Sequence, residues 1–219
     1  MLKHFTITLI LLASFGLTIS QVSATVDWNL DMLGFSSDSK FFILVESITE
    51  AGSGIARARI MIIDVASNKC VRGGCVSASG SKKNPRTEKA VLRKVYRKTW
   101  KLRRRLRLTP PKLGYKTSGP ILYEQCKTVY VYQNQKIHVR MRQNIRPKKA
   151  SVQLEVSIGD TTKTLDSLNN YRNYVQKYNL SRLFLSPNKK SIAILIRIFY
   201  REPEGEFEIR TLVQTVKLF

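Results

Sequence analysis

The stretch Leu33-Gly34-Phe35-Ser36-Ser37-Asp38-Ser39-Lys40-Phe41-Phe42-Ile43-Leu44-Val45-Glu46 decides the fold. It reads as the end of a first strand (Leu30–Phe35), a polar turn (Ser36–Lys40) and a second strand (Phe41–Ser47). The apolar run after Lys40 is continuous, which predicts a strand covered on both faces. Ser and Asp side chains bond the nearby backbone in such turns. An echo lies near the other end: Leu183-Phe184-Leu185-Ser186-Pro187-Asn188-Lys189-Lys190-Ser191-Ile192-Ala193-Ile194-Leu195-Ile196. Asp38 and Asn188 are therefore expected to be structural turn residues, and the two copies to bring the ends of the domain together as matching hairpins.

Outward from the first copy, Ala56–Val65 alternates as a third strand and Cys70–Val71 begins a short fourth, so Leu30–Val76 reads as an antiparallel meander. Ser77–Pro85 reads as a polar breaker. Toward the second copy, Thr128–Gln133 and Lys136–Gln143 form a hairpin, Asn144–Lys149 a basic turn, Ser151–Ile158 a half-buried strand and Thr161–Leu165 its return. Asp166–Leu180 has weak periodicity and fits a short helix or a loop. Strands at Leu183–Leu185, Ile192–Tyr200 and Glu206–Leu218 finish the chain. The fold class is mainly β (α+β): antiparallel β-meanders with propeller-like or sandwich-like packing and one long basic helix at about 87–106.

That helix is where the apolar period changes. Leu92, Val95, Thr99, Leu102 and Leu106 recur at spacings of three and four, widened by Val91 and Tyr96, as one helical face does. Asn84 or Thr87 can cap its start, and Pro110-Pro111 stops it. The other face carries Lys89, Arg93, Lys94, Arg97, Lys98, Lys101, Arg103, Arg104, Arg105 and Arg107, with Glu88 alone opposing them. The apolar stripe is expected to pack on a core. Arg93, Arg97, Lys101, Arg104 and Arg105 are the candidate anion-binding residues.

The N-terminus reads as an export signal, with a basic start at Lys3, an apolar run over Phe5–Leu17 and small residues at Val22-Ser23-Ala24. Cleavage near Ala24 would divide the chain into a signal peptide, 1–24, and one β-rich exported domain, 25–219, with the basic helix inserted at about 84–112. Periplasmic and secreted destinations both fit. The remaining chain of about 195 residues can bury a substantial core. Lys and Arg number 38 against 15 Asp and Glu, a net charge of +23, which predicts attraction to anionic surfaces. Among the three cysteines, Cys70 and Cys75 bracket Val71-Arg72-Gly73-Gly74, and an oxidising compartment favours a disulfide. Pairings Cys70–Cys75, Cys70–Cys126 and Cys75–Cys126 are all compatible with the sequence.

The turn motifs resemble the Phe-Ser-Pro-Asp-Gly-Lys blade motif of TolB-type β-propellers, with Ser39 and Lys189 where that family has Gly and Asn188 where it has Asp. The wider order resembles a family of predicted secreted bacterial proteins carrying a domain of unknown function (family 2259). The shared features are Leu33-Gly34-Phe35-Ser36, the Gly52–Gly54 connection, Ile63-Asp64-Val65, the central helix and the late Leu185-Ser186-Pro187 followed by an apolar strand. The resemblance implies export and a β-rich fold, and supplies no catalytic residue.

Catalytic chemistry finds little support. His138 is the one histidine past the signal, and no Gly-x-Ser-x-Gly elbow accompanies it. Ser37-Asp38-Ser39-Lys40 and Ser79-Gly80-Ser81-Lys82 fit Ser-x-x-Lys by spacing and read as turns. Glu202, Glu204, Glu206 and Glu208 form an acidic cluster, read as a patch facing the basic helix or a solvated edge, with calcium binding the weaker alternative. No metal site, catalytic residue or cofactor is expected. The functional reading is an exported, non-enzymatic binding or envelope-associated protein. Its partners would be anionic envelope polymers, a phospholipid surface or an acidic protein, and nucleic acid fits an exported chain poorly. The alternatives are an envelope hydrolase with an unrecognised site and a purely structural propeller-like scaffold.

Overall fold

The computed structural model describes residues 26–50, 53–81, 86–109, 127–132, 135–201 and 207–219. The expected signal and its cleavage site, Cys126, Asn84, Lys82 and three of the four clustered glutamates lie outside them. In chain order the elements are β1 (Val26–Asp27), β2 (Asn29–Phe35), β3 (Phe41–Thr49), β4 (Ala56–Asp64), β5 (Lys69–Cys70), β6 (Val76–Ser79), α1 (Glu88–Arg105), β7 (Lys127–Tyr132), β8 (Gln135–Arg146), β9 (Lys149–Ile158), β10 (Thr161–Asp166), β11 (Arg172–Asn173), β12 (Val175–Leu185), β13 (Ser191–Arg201) and β14 (Phe207–Lys217). The fold is mainly β, and the strands pair antiparallel except for β1, which runs parallel to β14.

Three sheets form. The first orders β2-β3-β4-β5, with β6 also on β4; the second orders β10-β9-β8-β7, with β11 on β9; the third orders β1-β14-β13-β12. Their stacking follows from the period-2 alternation of their apolar residues. In β13, Ile192, Ile194, Ile196 and Ile198 meet Val139, Val152, Leu154 and Val156 of the second sheet. Ala193 and Leu195 point the other way, onto Phe35, Phe42 and Leu44 of the first. In β3, Phe42 and Leu44 face the third sheet, while Ile43 and Val45 face Val91 and Val95 of the helix. The layers therefore run helix, first sheet, third sheet, second sheet. Among the described residues no sheet closes on itself.

The two signature turns share one hydrogen-bond scheme. Ser36 Oγ donates to Asp38 Oδ1 (2.6 Å) and accepts from Phe41 N (3.0 Å), while Lys40 N donates to Asp38 Oδ1 (3.1 Å). Ser186 Oγ donates to Asn188 Oδ1 (2.8 Å) and accepts from Ser191 N (2.9 Å), while Lys190 N donates to Asn188 Oδ1 (3.0 Å). Asp38 and Asn188 are thus turn residues in fact. Burial pushes the Asp38 carboxyl up, but the bonds from Ser36 and Lys40 outweigh it and hold it below the usual value. Ser39 and Lys189 hold φ of 62° and 59°, the left-handed region that glycine fills most easily. The turns also touch, with Asn188 N donating to Ser39 Oγ at 3.1 Å.

Three expectations need correction. Val76–Ser79 is strand β6, not part of a breaker: it pairs with β4, and its buried Ala78 lies under the helix. Asn144–Arg146 continues β8, so the basic turn shrinks to Pro147 and Lys148. Much of Asp166–Leu180 is strand, because β11 and most of β12 lie there. Register shifts at Val175/Lys177 and Leu180/Arg182 break the alternation of β12, so its buried residues do not follow a period of two.

Cys70 and Cys75 form the disulfide, with Cα atoms 5.9 Å apart. The turn they close needs its glycines. Gly73 has φ of 73°, and a Cβ on Gly74 would lie 2.9 Å from Ile62 Cβ. Serine at both cysteines is expected to lower stability by about 2 kcal/mol, the chain-entropy value for so short a loop. Urea unfolding of the two proteins measures it; an unchanged midpoint would mean that the bridge constrains nothing.

Candidate functional site

Helix α1 is fixed at its N-terminus and midway along its inner face. Thr87 Oγ1 accepts from Ala90 N at 3.3 Å, which caps the N-terminus. Glu88 sits in the first turn, where the helix dipole favours it. It accepts from Ser47 Oγ (2.5 Å), Asn29 Nδ2 (3.3 Å) and Thr49 Oγ1 (3.4 Å), tying the helix to β2 and β3. Two turns on, the Tyr96 hydroxyl donates to Asp31. Burial, then Asp31, pushes the Tyr96 phenol well above its usual value. Val91, Val95 and Thr99 are buried, and Leu92, Leu102 and Leu106 pack on the same cluster. The expected apolar stripe therefore belongs to the core.

The outer side holds the candidate anion-binding residues. Arg93, Arg97, Lys101, Arg104 and Arg105 are all exposed. The first four recur at spacings of four, four and three, which places them along one side of the helix. Among the described residues no carboxylate lies within salt-bridge distance of any of them. Their mutual repulsion is a local cost that the packed inner face outweighs.

Arg103 departs from the expected basic face. It is 4% exposed, because it lies four residues past Thr99 and so joins the inward stripe. Its Nε donates to Thr99 Oγ1 (3.3 Å) and its Nη2 to the Tyr96 carbonyl (3.2 Å). Its guanidinium lies 4.7 Å from the Tyr96 ring centroid and 5.6 Å from that of Trp100. Burial lowers its pKa, which the Tyr96 hydroxyl partly offsets. Trp100 itself is 50% exposed. Both placements could have been reached by counting, Arg103 from Thr99 and Trp100 from Arg97 and Arg104.

A cleft of about 640 Å³ opens where α1, β4, β6 and β14 meet, lined by Trp28, Arg57, Arg59, Ser77, Ser79, Lys94, Glu208 and Arg210 among others. Its arginines are engaged. Arg57 pairs with Glu50 at 2.6 Å and Arg210 with Glu208 at 2.5 Å. Arg59 pairs with Glu46, and its guanidinium lies 5.0 Å from the Trp28 ring centroid. Trp28 Nε1 donates to Glu208 Oε1 at 3.0 Å. Burial raises the Glu208 carboxyl, but Arg210, Trp28 and Arg57 together hold it below the usual value. Glu208 is thus a mostly buried partner inside the cleft, not part of a solvated edge.

His138 is exposed on β8, and none of the pockets described includes it. No hydrogen bond among the described residues joins Ser77 or Ser79 to Lys94. Among those residues no group of three His, Cys, Asp or Glu could hold a metal ion, and no helix is long and apolar enough to cross a membrane. The model of a protein family described as "Predicted secreted protein (DUF2259)" matches residues 45–217, well over half of the chain. The match takes in the helix and most of all three sheets. No curated protein matches the chain.

Proposed function

The chain belongs to that family of predicted secreted proteins, and from this premise we propose that it is an exported, non-enzymatic protein that binds anionic envelope surfaces through the outer side of α1. In this reading the signal is cleaved near Ala24 and the domain works in the periplasm or outside the cell. One observation carries it: Arg93, Arg97, Lys101, Arg104 and Arg105 are exposed, with no acidic partner among the described residues, on a helix whose other side is locked into the core. The cations of the neighbouring cleft are largely committed to Glu46, Glu50 and Glu208, so the helix is the better anion site.

Binding to anionic and to neutral vesicles at low and high salt tests this. Binding is expected on anionic vesicles only and to fall with salt, because surface charges are screened beyond about 10 Å at 0.1 M. Each basic residue near an anionic membrane contributes about 1 kcal/mol, so Arg97→Gln is expected to weaken binding about fivefold. Binding indifferent to lipid charge and salt would sink the proposal.

A second reading, a propeller-like structural scaffold, is supported by the matched turns at Asp38 and Asn188. It predicts that the protein at low salt binds no anionic surface at all. A hydrolase reading would draw on the cleft, whose lining includes Ser77, Ser79 and Lys94; turnover of ester or amide substrates lost in Lys94→Ala would favour it.

A further inference from the structure

We infer that the surface α1 docks on is an anionic phospholipid bilayer and that Trp100 is the interfacial anchor; the inference rests on the anion-binding reading of the helix above. Trp100 is 50% exposed, and it stands among cations. Arg97 lies three residues before it and Arg104 four after, both neighbours on the same helical side. An anionic polymer or an acidic protein would need only the cations. An indole at the same surface points to a medium that accepts an apolar ring and an N–H together. The headgroup zone of a bilayer is such a medium, and Trp concentrates there. Among the described residues the Trp100 indole N–H has no acceptor, whereas that of Trp28 is bonded to Glu208.

The local packing also presets the ring. The buried Arg103 guanidinium lies against both the Tyr96 and the Trp100 rings, 4.7 and 5.6 Å from their centroids. Covering that guanidinium holds Trp100 in place while half of it stays outside. A side chain already ordered loses little freedom on binding. The mode of contact follows from the core. Amphipathic helices that lie in a membrane bury their apolar face in lipid, but the apolar face of α1 is spent on β3, β4 and β6. The helix, 18 residues long and about 27 Å in length, can therefore only rest its basic side at headgroup depth. Such contact is shallow, salt-sensitive and reversible.

The chain has two tryptophans, so fluorescence separates the anchor from the rest. The full exported chain is titrated with vesicles of phosphatidylglycerol and phosphatidylcholine, with pure phosphatidylcholine vesicles, and with soluble polyphosphate. With anionic vesicles the emission is expected to shift to the blue and to be quenched by brominated acyl chains. In Trp100→Phe, which keeps a ring over Arg103, the shift and the quenching are expected to disappear, since the remaining Trp28 is held in the cleft by its bond to Glu208 and its contact with Arg59. Affinity for anionic vesicles falls about three- to tenfold for the lost indole contact, and affinity for polyphosphate does not change. Circular dichroism identical to that of the parent protein shows that the variant folds. Binding to anionic vesicles without quenching of Trp100, or binding to polyphosphate alone, overturns the lipid inference and leaves the anion-binding reading standing. No binding to vesicles or polyphosphate at low salt overturns both.

Discussion

Replacing Phe42 with alanine is expected to destabilise the folded chain by about 3–5 kcal/mol. Phe42 is fully buried at the joint between the first and third sheets. Its ring meets Phe35 edge-on, with centroids 5.0 Å apart and planes at 71°, and lies 5.9 Å from Phe184. Each of those rings belongs to a different strand, so the space left by alanine is walled by β2, β3 and β12 and cannot collapse by moving one side chain. For a chain of this size a loss of about 4 kcal/mol lowers Tm by roughly 8–16 °C. Urea unfolding followed by circular dichroism measures it. A change below about 1 kcal/mol would mean that the two sheets are not packed through this ring.

The second large effect is expected from Arg59→Met, also about 3–5 kcal/mol. Glu46 on β3 is fully buried and lies opposite Arg59 on β4. Arg59 Nε and Nη2 both donate to Glu46 Oε1, and Nη2 also donates to the Thr211 carbonyl at 2.9 Å. One guanidinium thus pairs with a buried carboxylate through Oε1 and ties β4 to β14. Methionine keeps much of the stem and removes the charge, leaving the Glu46 carboxylate in the interior without this partner. Changing both partners to apolar residues, Glu46→Leu with Arg59→Met, is expected to recover most of the loss, because replacing a whole buried pair is often neutral. A double variant as unstable as the single one would show that the Thr211 contact, not the carboxylate, dominates.

The parts of the fold legible in the sequence are those whose determinants are local. The turns at Asp38 and Asn188 form bonds spanning at most five residues. The unbroken apolar run of β3 signals two covered faces, and both are covered. The helix announces itself by period, and its basic outer side is where spacing puts it. What stayed hidden depends on tertiary geometry. β12 lacks alternation because of its two register shifts. β6 is a run of small residues whose Ala78 makes sense only once the helix lies above it. Arg103 reads as one of the outer charges, yet its long stem and forked head suit the buried stripe next to Tyr96 and Trp100. The cleft draws on Trp28, Arg57, Lys94 and Glu208, whose separation along the chain leaves no pattern to read.

The pairing of β1 with β14 sets an order of assembly. Val26 and Asp27 align with Glu208 and Ile209, and Trp28 donates to Glu208 across 180 residues of sequence. A chain delivered N-terminus first can close the Leu33–Glu46 hairpin as soon as that segment emerges, for its contacts are near neighbours. β1 emerges still earlier and waits for nearly everything else, since long-range pairing is slow and comes late. The clasp therefore forms only once β14 is present. Without β14, β1 has no strand to pair with, and Phe42 and Leu44 lose Val213 from the cluster that covers them.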